Sequence, residues 1–68
     1  MTADEFRAAL KTLGWSYATA ARALGVVDGK RVGEWARGKR PVPPYIAAHV
    51  RYRRLVLGWL RRRGAGAP

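Results

Sequence analysis

Three glycines punctuate this chain, and their placement leaves few folds open to it. Gly14, Gly25 and Gly38 each follow a segment whose apolar residues recur at helical spacing. Glycine takes the left-handed conformation just past a helix end without a Cβ penalty. Helix-starting residues stand before the first segment and after each glycine. Thr2 and Glu5 form a capping box, Ser16 and Asp28 are N-caps, and Pro44 suits a first helical turn. The pattern predicts helices from Thr2 to Gly14, from Tyr17 to Leu24, from Asp28 to about Arg37 and from Pro44 to about Arg63. Strand-like alternation is absent. The expected fold is all-α: a compact four-helix domain over residues 1–63 with a long C-terminal helix, and a disordered tail over residues 64–68.

Charge narrows the function. The 68 residues carry a formal net charge of +10. Residues 1–20 are neutral, residues 21–40 carry +4 and residues 41–68 carry +6 with no acid at all. Eleven of the 14 basic residues are arginine, whose planar fork fits phosphates and guanine edges. A polyanion, most often nucleic acid, is the partner such a balance implies. Catalysis is unsupported, because one His49, no cysteine and four carboxylates offer no nucleophile–base–orienter set. The same inventory leaves no metal site, and no cofactor or small-molecule ligand is expected. The longest apolar runs fall far short of the roughly 20 residues of a membrane span. Asp4 and Glu5 stand where a signal peptide would be basic. A cytoplasmic protein at the nucleoid is the expectation.

Ala21 lies four residues before Gly25, at the point where two helices joined by that turn would cross. A small side chain there permits close approach, with Leu24 and Val26 filling the space beneath the turn. Val32 and Trp35 would point back into the core, as would Trp15. The set Leu13-Gly-Trp-Ser-Tyr17, Ala20-Ala21, Leu24-Gly-Val26, Val32, Trp35, Gly38 and Arg40-Pro-Val-Pro43 resembles the XRE family of lambda-repressor-like and Cro-like helix-turn-helix regulators. The likeness covers about residues 3–50. In size the chain is also similar to phage Cro-like regulators and to anti-CRISPR-associated autorepressors. Relative to the family pattern, Val27 reads as a one-residue insertion in the turn. Tyr17 stands where the family often has a phosphate-touching Gln.

The resemblance implies sequence-specific binding of double-stranded DNA at an inverted-repeat operator, by a homodimer that represses transcription. Helix 3 would enter the major groove. Its expected base-reading face is Gly29, Lys30, Arg31, Gly33 and Glu34, with Lys30 and Arg31 the best readers. Gly29 and Gly33 are read as letting the backbone come close to DNA. Glu34 either accepts from a cytosine amino group or pairs with Lys30. Tyr17, Thr19, Arg37, Lys39 and Arg40 are the expected phosphate contacts, which fix register without reading sequence.

Helix 4 is amphipathic in two directions. At 100° per residue, Tyr45, Ala48, Tyr52, Leu55, Val56, Trp59 and Leu60 form a broad apolar face, and Ile46, Val50 and Leu57 a narrower stripe. One surface would serve the domain's own core. Tyr52, Leu55, Val56, Trp59 and Leu60 are the expected dimer interface. His49 borders the broad apolar face and is a packed or rim residue on this reading. The competing function is a non-specific RNA-binding or general nucleic-acid-binding protein, which would expose aromatics among its arginines.

Overall fold

The computed structural model describes residues 1–66. Four helices follow in order: α1 Ala3–Leu13, α2 Tyr17–Leu24, α3 Gly29–Ala36 and α4 Pro44–Gly66. No strand occurs among the described residues.

The first three helices start and stop as local chemistry dictates. Thr2 Oγ1 accepts from the Glu5 N–H at 3.1 Å while the Thr2 N–H donates to Glu5 Oε1 at 2.9 Å. Ser16 Oγ accepts from the Thr19 N–H and Asp28 Oδ1 from the Arg31 N–H. Gly14, Gly25 and Gly38 all have φ between 71° and 77°. Past each helix the same closure recurs: the N–H of Trp15, Val26 and Lys39 reaches back to the carbonyl of Leu10, Ala21 and Glu34. This satisfies carbonyls that a helix end leaves without partners.

The core is small. Phe6, Ala9 and Leu10 of α1 meet Ala20, Ala21 and Leu24 of α2, Val32, Trp35 and Ala36 of α3, and Ile46 and Val50 of α4. Phe6 and Trp35 pack edge to face with centroids 6.0 Å apart. Trp15 is only partly buried at the margin, where the Arg53 guanidinium lies 5.7 Å from its ring. Arg53 Nε also donates to His49 Nε2, placing that histidine at the rim.

Helix α4 packs by its narrower stripe. Ile46, Ala47 and Val50 are buried, while Tyr45, Tyr52, Leu55, Trp59 and Leu60 are exposed. Leu57, the third member of that stripe, is half-buried because the core ends before it. The long C-terminal helix is as expected, its end at Gly66 lying a few residues past Arg63. Gly64 does not turn left-handed, so it ends nothing. Ala67 and Pro68, the end of the expected tail, lie outside the described residues.

Candidate nucleic-acid interface

Helix α3 has three distinct sides. Val32, Trp35 and Ala36 face the core. Gly29 and Gly33 face α2. A Cβ built on Gly33 would lie 3.4 Å from the Tyr17 ring, and one on Gly29 would lie 3.3 Å from the backbone of Tyr17 and Ala18. The remaining arc, about 120° wide at helical spacing, holds Arg37, Lys30, Glu34 and Arg31. Lys30, Arg31 and Arg37 are exposed.

The two glycines permit the close approach of α2, a use of their missing side chains that the sequence did not point to. Gly33 is buried beneath the Tyr17 side chain. Tyr17 is therefore a spacer between the two helices as well as a surface residue, with 41% of its area still exposed. Its ring borders the basic arc on one side, and an Arg37 guanidinium nitrogen lies within 3.6 Å of the position a Gly33 Cβ would take.

Glu34 also departs from expectation. Its carboxylate pairs with Arg40, at 3.2 Å from Nε, and not with Lys30. The left-handed turn at Gly38 swings the chain back far enough for a residue six positions on to reach it. The pair neutralises the one acid on the arc. Lys30, Arg31 and Arg37 then form a positive face uncompensated by any recorded ion pair among the described residues.

On the other border of the arc, Arg31 and Arg40 line a groove of about 300 Å³ with Trp35, Pro41, Pro43 and Tyr45. Lys39 is exposed on the loop beside it. Of the expected phosphate-contacting set, Thr19 is half-buried and its hydroxyl accepts from Ser16 Oγ at 2.9 Å. The turn between α2 and α3 carries Val27 at 95% exposure.

One structural arginine escaped the sequence reading. Arg7 of the electrically neutral α1 donates to the Ala36 carbonyl at 2.5 Å, at the C-terminal end of α3. A cation there complements the helix dipole and ties α1 to α3. Its side chain also pairs with Asp4. Nothing local marks it, because the partners are 29 residues apart.

No group of three or more metal-ligating side chains occurs among the described residues, and none of their helices is long and apolar enough to cross a membrane. Comparison of the chain with protein-family models, curated proteins and solved structures finds no match.

Proposed function

We propose that this chain is a sequence-specific double-stranded DNA-binding regulator of the XRE type, a repressor that occupies an inverted-repeat operator as a homodimer. The carrying observation is the exposed arc of α3, where Lys30, Arg31 and Arg37 project from a helix packed on its other two sides against the core and α2. In this reading α3 lies in the major groove, with Lys30 and Arg31 at guanine edges. Lys39 and Arg40 grip phosphates on one border of α3, and Tyr17 and Arg37 do so on the other. Two copies joined through α4 would set two such helices about 34 Å apart, one helical turn of DNA. Repression follows from covering a promoter, in the cytoplasm at the nucleoid.

A second reading has its own observation. Tyr45, Tyr52 and Trp59 are exposed among the arginines of α4, as a non-specific single-strand or RNA binder would present them. Titration of labelled duplex at several salt concentrations separates the two. About eight to ten neutralised phosphates per dimer give a log–log slope near −7 to −9. A slope near −2, or tighter binding of single-stranded RNA than of any duplex, contradicts the proposal.

A further inference from the structure

Helix α4 outlasts the core that packs against it. Ile46 and Val50 are fully buried, but no residue from Arg51 to Gly64 is. Past Val50 the narrower stripe of α4 runs out over the end of α1 and the turn after it. There Leu13, Trp15, Arg53, Val56, Leu57 and Leu60 line a groove of about 210 Å³. Leu57 is half-buried in it and Leu60 is 52% exposed. The groove is a concavity between two elements, apolar along its length, with a single charged side chain in its wall.

The charge around the groove is of one sign and is held in place. The Arg53 guanidinium lies 5.7 Å from the Trp15 ring centroid, and its Nε donates to His49 Nε2 at 3.2 Å. Neither partner is an acid, so the cation is fixed with its charge uncompensated. Arg54 and Arg61 flank Leu57 at helical spacing, three residues before it and four after. No carboxylate follows Glu34 in the chain. The four that precede are engaged: Asp4 with Arg7, Glu5 with the Thr2 N–H, Asp28 with the Arg31 N–H and Glu34 with Arg40. A second copy of the chain therefore has no free acid to bring here. Nucleic acid fits poorly too. Base stacking needs an open aromatic face, whereas the Trp15 ring is packed against the core and covered by Arg53.

We propose that this groove docks an acidic amphipathic helix of another protein. Helix α1 packs on the first half of the α4 stripe, around Ile46 and Val50. The partner helix covers the second half. Its apolar residues, recurring at three and four positions, fill the groove over Leu13, Leu57 and Leu60. Its carboxylates meet Arg53, Arg54 and Arg61, which no acid of this chain neutralises. Charge of this kind steers the encounter and selects the partner, while the apolar floor supplies the buried area. The groove contains no residue of the α3 arc and shares only Val56 and Leu60 with the α4 face assigned above to the dimer. It adds a protein partner to the nucleic-acid reading and does not depend on it.

Two-dimensional amide NMR of the full chain tests this, because the three tryptophans report from different places. Trp15 lines the groove, Trp35 lies in the core and Trp59 is exposed on α4 outside it. The probe is a synthetic peptide of about 18 residues, with leucine at helical spacing and glutamate elsewhere. On titration the Trp15 indole signal and the Leu57 and Leu60 amides should shift while the Trp35 indole stays still. Leu60→Ser, whose own spectrum reports that it is folded, should bind about tenfold more weakly. Arg61→Glu should bind about threefold more weakly or worse. A peptide of the same composition with its leucines dispersed around the helix should leave Trp15 unmoved. An unmoved Trp15 with the patterned peptide, shifts at Trp59 or the α3 amides in its place, or equal binding of the dispersed peptide overturns the proposal. So does tighter binding at Trp15 by single-stranded RNA or by vesicles of anionic lipid, which would assign the groove to that partner.

Discussion

Glu34 holds Arg40 at 3.2 Å across the turn made by Gly38, joining the acid of the α3 arc to the first arginine of the basic loop. Each masks the other from a polyanion. Glu34→Gln removes the charge, frees the guanidinium and should tighten binding to any duplex by about threefold or more at moderate salt. Fluorescence anisotropy against operator and scrambled DNA measures it. Loss of affinity confined to one base pair would show instead that Glu34 reads a cytosine.

Gly33 and Gly29 differ in what a methyl group would meet. At Gly33 it would touch the Tyr17 ring at an ordinary contact distance of 3.4 Å, so Gly33→Ala should add about 0.5–1 kcal/mol of stability through helix propensity. At Gly29 it would press on backbone atoms of Tyr17 and Ala18 at 3.3 Å, which cannot rotate away. Gly29→Ala should therefore gain nothing or lose stability. Urea unfolding of both variants decides; equal gains would mean that α2 and α3 do not pack as closely as described.

The charge-assisted bond from Arg7 to the Ala36 carbonyl should be felt in folding and not in recognition. Arg7→Met keeps the aliphatic stem and should cost about 1 kcal/mol. Duplex affinity well below the melting temperature should be unchanged. A loss of affinity at full foldedness would place Arg7 on the interface.

Acid should loosen α1 first. The Thr2 backbone N–H, and next the Thr2 hydroxyl, hold the Glu5 carboxylate in its charged form and lower its pKa. A depressed folded pKa contributes stability above the unfolded value and loses it as pH falls through the folded one. Melting temperature should drop below about pH 4.5 less steeply in Glu5→Gln than in the parent. Identical pH profiles would mean that the capping box contributes nothing through ionisation.

What could be read in advance was what is local. Thr2, Ser16 and Asp28 cap within three residues, and Gly14, Gly25 and Gly38 stop their helices within a turn. Features set by tertiary packing could not be read that way. Composition makes Gly29 and Gly33 permissive, but only the docking of α2 decides which neighbour uses that space. Glu34 has Lys30 at helical spacing, yet the chain reversal at Gly38 delivers Arg40 instead. Residues 64–68 read as a tail in sequence, yet the helix runs on through Gly64, whose backbone does not turn left-handed. The two stripes of α4 were visible; that the narrower one would enter the core depends on Ile46 and Val50 lying where α1, α2 and α3 leave room.

The central claim is that the α3 arc reads duplex sequence, and selection of bound molecules from random duplex DNA tests it most directly. The account predicts enrichment of one motif with two-fold symmetry, its half-sites centred about 10 base pairs apart. Enrichment should collapse in Lys30→Ala while bulk duplex binding persists. Recovery of no motif, with affinity following length and charge alone, would contradict it.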